Sequence, residues 1–192
     1  GLKAGVFTKI TVPNVNKYDG NGNTELVAAV LLGDQNAAQA AISKGAGVDI
    51  PSKNGDLPIT IAAKNGNLNM VNFLVNNKAD ANRKDKQGHT ALFYAVRSGN
   101  KQMAQALLLG KADPNADTKI VETAVQLKNK EMILMLSTYK ADLTPGLSKA
   151  IELNDSDMFS TLINYGATMT SNDPFEKAVD KNNKEIAAIC LD

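Results

Sequence analysis

Three stretches of the sequence hold side chains of the kinds that bind metals or move protons. Asp19-Gly20-Asn21-Gly22-Asn23-Thr24 sets oxygen-bearing side chains at alternate positions, as the opening of a calcium loop does. That site also needs Gly at its sixth position and Glu at its twelfth, which here are Thr24 and Val30. The stretch therefore reads as a polar turn leading into a capped helix. His89, the single histidine, has Asp85 close by in sequence. A general base needs a nucleophile and an orienting carboxylate, and no Cys or Gly-flanked Ser accompanies the pair. His89 reads instead as an exposed loop residue that touches a partner. Cys190, the single cysteine, falls on a leucine-type core position and reads as a small buried hydrophobe.

Whole classes of chemistry are missing. One His and one Cys leave neither a two-histidine metal site nor a Cys-rich zinc site, and no internal disulfide. No Gly-Lys-[Ser/Thr] triplet marks a phosphate loop. We therefore assign no catalytic residue, no metal and no cofactor, and expect no enzyme. The net charge of +1 gives no overall pull toward nucleic acid. No apolar run is long enough to span a membrane. The chain starts at Gly1 and not at Met, which reads as a trimmed or processed start and leaves a cytoplasmic or exported location open.

The elements that must position any site come from a repeat. An apolar fraction of 43% supports a continuous core, and the lack of Trp beside abundant Ala and Leu favours closely approaching helices. Leu57-Pro-Ile-Thr-Ile-Ala-Ala-Lys-Asn-Gly66 is echoed by Thr90-Ala-Leu-Phe-Tyr-Ala-Val-Arg-Ser-Gly99. A first copy begins at Thr24, as far before Leu57 as Thr90 lies after it. A period near 33 marks a stacked array. Each phrase predicts a helix, started by Thr24, Pro58 or Thr90 and ended by Gly33, Gly66 or Gly99, where a left-handed backbone suits glycine.

This phrase resembles the ankyrin repeat, whose pattern runs G-x-T-P-L-H-x-A-A-x-x-G and then V-x-x-L-L-x-x-G-A-D-x-N. The resemblance covers residues 19–192, is specific in the first three repeats and degenerate in the last three, whose phrases begin at Lys119, Pro145 and Asp173. It implies an all-α solenoid of about six helix-turn-helix repeats, near 19–51, 52–84, 85–115, 116–143, 144–170 and 171–192. Residues 1–18 are an N-terminal extension or linker, with alternating strand character over Val6–Val12. The family's connections are β-hairpin fingers, expected here between the first three repeats, with short turns after them. Asn154, Asn182 and Lys128 replace the helix-ending glycine in the later repeats. Thr144-Pro145 and Asp173-Pro174 read as a cap followed by a first-turn proline. The family's histidine in T-P-L-H is absent from every repeat, where Val27, Thr60, Phe93, Glu122, Ser148 and Glu176 stand. The array is therefore expected to be softer or differently bonded.

The resemblance further implies a non-catalytic protein-protein interaction module that meets its partner on a concave face of finger tips and inner-helix ends. Matching positions in repeats 2 and 3 are Lys53, Asn54 and Asp56; Lys64 and Asn65; Lys86, Gln87 and His89; and Arg97 and Ser98. Charge adds to this. Residues 78–130 hold ten basic and five acidic groups, while residues 141–192 hold four basic and nine acidic ones. Lys53, Lys64, Lys86 and Arg97 form a basic stretch suited to an acidic segment of a protein partner. The other reading is a structural or regulatory segment of a larger or homo-oligomeric protein, because Ile189-Cys190-Leu191 makes the last helix apolar. Nucleic acid is not an expected partner, and a monomer or weak homodimer is the expected state.

Overall fold

The computed structural model describes residues 14–192, so the reading of Val6–Val12 as a strand-like arm lies outside the described residues. Among the described residues, twelve short helices follow one another in pairs. The first members are α1 (Glu25–Leu32), α3 (Pro58–Lys64), α5 (Ala91–Arg97), α7 (Lys119–Gln126), α9 (Thr144–Glu152) and α11 (Asp173–Asp180). The second members are α2 (Gln35–Ser43), α4 (Leu68–Asn76), α6 (Lys101–Leu109), α8 (Lys130–Thr138), α10 (Ser156–Asn164) and α12 (Lys184–Ile189). Each first member packs on the next one along the chain, from α1 on α3 through to α9 on α11. The second members stack behind them, and one continuous core runs from Leu26 to Ile186.

The same two devices set every pair. The residue between the helices turns left-handed: Gly33, Gly66 and Gly99 have φ of 67°, 68° and 66°, and Lys128, Asn154 and Asn182 take 53°, 55° and 53° at the equivalent places. This reverses the chain sharply enough for the second helix to fold back on the first. The next residue, Asp34, Asn67, Asn100, Asn129, Asp155 or Asn183, accepts a backbone N–H from three residues on and so satisfies one orphan donor of the second helix.

The starts of the first helices are less uniform. Thr24 caps Val27 through its hydroxyl at 3.2 Å, whereas the buried Thr90 hydroxyl finds no partner. Thr144 and Asp173 lie inside the first turn and make no cap bond, with Leu143 and Asn172 as the flanking residues. In both, the following proline occupies the second helical position, where its missing N–H leaves no intrahelical bond unmade.

The fingers are turns rather than β-hairpins, and no strand occurs among the described residues. Residues 19–23, 52–56 and 85–89 each close by two backbone bonds: one of 2.9 Å from the N–H of Asp19, Ser52 or Asp85 to the carbonyl of Asn23, Asp56 or His89, and a return bond from Gly22, Gly55 or Gly88 N–H to Asp19, Ser52 or Asp85. The helix begins within two residues of each closure, so no further rung has room to form. The first and second turns also join, where Lys53 N–H donates to Gly22 at 2.8 Å.

Candidate functional site

The turns and the C-terminal ends of the first helices share one face of the array, and long side chains connect them. Lys64, at the end of α3, reaches the 85–89 turn and places Nζ 2.8 Å from Asp85 Oδ2 and 3.6 Å from Asp56. Asp85 is fully buried at its side chain. It stays ionised because it is saturated: the N–H groups of Gln87 and His89 donate to Oδ1, while Lys64 and the Tyr94 hydroxyl, at 2.6 Å, hold Oδ2. Burial alone would raise its pKa, but these donors together hold it below the ordinary carboxylate value. Burial is the largest single influence on Lys64 and opposes its charge, but the bonds and charges of Asp85 and Tyr94 together outweigh it and raise the lysine. The Tyr94 hydroxyl, buried beside that carboxylate, is pushed up to about 12. It also lies 2.7 Å from the Gln87 amide. That contact is to Gln87 Oε1, so the single hydroxyl proton faces two acceptors, of which the carboxylate is the stronger.

A second knot joins the third and fourth helix pairs. His89 Nδ1 lies 2.8 Å from Asp117 Oδ2, and the ring stacks on Phe93 with centroids 3.7 Å apart and 8° between planes. Asp85, the acid close to it in sequence, takes only its backbone N–H. His89 is thus half-buried and faces no nucleophile. Phe93 stands in the slot that holds the family's histidine, so the bonding between repeats has moved to Tyr94–Asp85–Lys64 and His89–Asp117. The array is differently bonded at this point.

The remaining positions are more open. Arg97 has no carboxylate partner among the described residues and lies over the Phe93 and Tyr94 rings, 5.5 and 4.9 Å from their centroids. Lys53 lies 5.7 Å from the centroid of Tyr18, and Lys86 approaches Asp56 no closer than 3.8 Å. Asn54, Asn65 and Ser98 are exposed, and Ser98 returns its hydroxyl proton to Ala95. The structure links Asp56, Lys64, Lys86, Gln87, His89 and Arg97 through shared partners while dividing their roles. Lys64, Asp56 and Gln87 serve the protein's own network, and Lys53, Lys86 and Arg97 point their charge outward. Tyr94 and Asp117 did not stand out in the sequence. Tyr94 is masked by its apolar helix, and Asp117 becomes a partner of His89 only once two repeats are stacked.

The other stretches are structural. Asp19 Oδ1 accepts the N–H groups of Asn21 and Asn23, which closes the turn on itself, and no group of three or more His, Cys, Asp or Glu is placed to hold a metal among the described residues. Cys190 ends α12 half-buried, and burial pushes its thiol up, away from the reactive thiolate. No helix among the described residues is long and apolar enough to cross a membrane.

The sequence profile for ankyrin repeats in three copies matches residues 26–120, about half of the chain. The chain belongs to the ankyrin repeat family. Three solved structures share its fold at low identity. The ankyrin repeat domain of Bcl-3, described as a unique member of the IkappaB protein family, is 22% identical, with a TM-score of 0.74 over 89% of this chain and 86% of that one. An ankyrin repeat domain from Acinetobacter baumannii AYE is 20% identical, with a TM-score of 0.71 over 86% and 95%. The human ASB11 ankyrin repeat domain is 21% identical, with a TM-score of 0.65 over 88% and 83%. No curated protein gives a significant match to the sequence. Ankyrin repeat domains are in general protein-protein interaction modules without enzymatic activity.

Proposed function

We propose that this chain is a non-catalytic binding module, with a repeat domain over residues 19–192, whose concave face of turns and inner-helix ends holds an acidic segment of a protein partner. The observation that supports it is the arrangement of Lys53, Lys86 and Arg97 around the rigid Lys64–Asp85–Tyr94 network. A fixed floor under outward cations lowers the ordering cost of binding. The test is charge reversal of Lys53, Lys86 and Arg97 to Glu together, sparing Lys64 because its loss would strand the buried Asp85. A partner captured from the source cell should then be lost while the thermal unfolding curve is unchanged. Undiminished capture rejects the reading.

A second reading, that the array docks on another domain or a second copy, draws on one observation. On the last helix pair Val179 is 54% and Leu191 74% exposed. Under this reading solution mass rises with concentration, and Val179→Ser with Leu191→Ser reverses the rise. A mass that stays monomeric rejects self-association.

A further inference from the structure

The six left-handed residues between paired helices are a ruler along the array. Two residues before each stands one side chain at the end of each inner helix: Leu31, Lys64, Arg97, Gln126, Glu152 and Asp180. Read in order, these six are apolar, basic, basic, neutral, acidic and acidic, with the Lys64 charge already held by Asp85 so that Arg97 carries the basic centre. At the apolar end Leu31 is 48% and its neighbour Leu32 82% exposed, although Leu is a residue that folding normally covers. At the centre Arg97 is held over two rings with no carboxylate against it among the described residues. At the far end Glu152 and Asp180 line a hollow of about 380 Å³ between α9 and α11, together with Ser148, Ile151, Lys177 and Lys181. Local cations temper that end, since Lys149 pairs with Glu152 and Lys177 with Asp173. The surrounding residues 141–192 still hold nine acidic groups against four basic ones. A field of this sign acts beyond the contacting pairs.

We propose that this row reads one segment of a protein partner, apolar at one end, acidic in the middle and basic at the other, and accepts it in a single direction. The inference rests on the concave-face reading above and adds to it the order and polarity of the ligand. Packed helices lie about 10 Å apart, so Leu31 and Arg97, two steps along, are separated by about 20 Å. Arg97 and Asp180, three steps along, are separated by about 30 Å. An extended chain rises about 3.3 Å per residue, so the apolar and acidic clusters are about six residues apart and the acidic and basic ones about nine. Reversing the segment sets its acidic centre or its basic end against like charge or apolar surface, which costs affinity and so fixes direction.

The test is a selection from a phage-displayed library of random peptides about 18 residues long, long enough to span the row at that rise. The baits are the intact chain and three variants: Arg97→Glu, Leu31→Ser with Leu32→Ser, and Arg97→Glu with Glu152→Lys and Asp180→Lys. All the changed positions are exposed helix ends, and circular dichroism melts check that the variants fold. The intact chain should enrich peptides with the apolar, acidic, basic order. Arg97→Glu should weaken a chosen peptide at least about tenfold. The leucine variant should lose the apolar preference alone, and the triple variant should enrich peptides with acidic and basic clusters exchanged. Enriched peptides with no charge order, or the same peptides on every bait, overturn the inference. If Lys53, Lys86 and Arg97 to Glu still abolishes binding of those peptides, the concave-face reading survives that failure. No enriched peptide, or a concentration-dependent dimer that Arg97→Glu dissolves, overturns the inference in favour of a folded surface or a second copy as the occupant.

Discussion

At the scale of single residues, Asp85 carries the most consequence. It is a buried carboxylate whose four donors come from Lys64, Tyr94 and two backbone N–H groups. Replacing Tyr94 by Phe removes a hydrogen bond to a charged group, and bonds of that kind contribute about 1.5–3 kcal/mol. We expect a loss of that size in urea unfolding at neutral pH. The pH dependence follows from linkage. Tyr94 is raised from 10.0 to about 12, so between those values the unfolded chain loses its phenolic proton first and unfolding is favoured. Its contribution is complete below about pH 10 and vanishes as pH rises through about 12. Asp85 is lowered, so its contribution holds above about pH 3.9 and is lost as pH falls through its folded value. The stability gap between the native chain and Tyr94→Phe should therefore narrow above pH 10. A gap that stays constant to pH 12 contradicts this account of the network.

At the scale of elements, the shortened later repeats depend on close approach. Gly146 lies in the first turns of α9, and a Cβ placed there meets Leu162, Val121 and Val125 each at 3.1 Å. Those side chains come from α10 and α7, so the glycine is where three helices meet. Alanine is the better helix former by about 1 kcal/mol, but overpacking a filled core costs about 1–3 kcal/mol. Gly146→Ala should therefore destabilise the chain in denaturant titration, and a gain would show that the contact relaxes freely. Asparagines in the loops between helix pairs also link successive repeats. Asn82 bonds the backbone of Lys111 and Asp113, and Asn115 bonds that of Lys140 and Asp142. The fourth pair thereby keeps the regular stacking although its connection to the fifth is short.

At the scale of the whole molecule, each repeat touches chiefly its neighbours, so stability adds along one dimension. The ends should open more readily than the middle. In the last pair only Ala178 of α11 and Ile186 of α12 are fully buried, whereas α5 buries six of its seven residues. Native-state hydrogen exchange should show α11 and α12 exchanging first and α3 and α5 last. Ile186→Ala should hasten exchange in the last pair and leave the Asp85 network unchanged. Equal protection along the array would mean a single cooperative unit.

The division between sequence and fold has a physical basis. Periodic apolar residues and the places that need a left-handed backbone are local properties, so the helix pairs, their order and even Lys128 at a glycine position were legible from residue types and spacing. The ten candidate positions follow from the same register, since a repeat is expected to put equivalent positions on one face. What a side chain does on that face depends on neighbours that lie a whole repeat away along the chain. His89 pairs with Asp117 and not with Asp85, Lys64 turns inward while Lys86 stays out, and Tyr94 anchors a carboxylate from within an apolar helix. The fingers shortened to turns because the helix starts leave no room for a further rung. Spacing along the chain decided which residues share a face, and only stacking decided which charges are neutralised there and which remain for a partner.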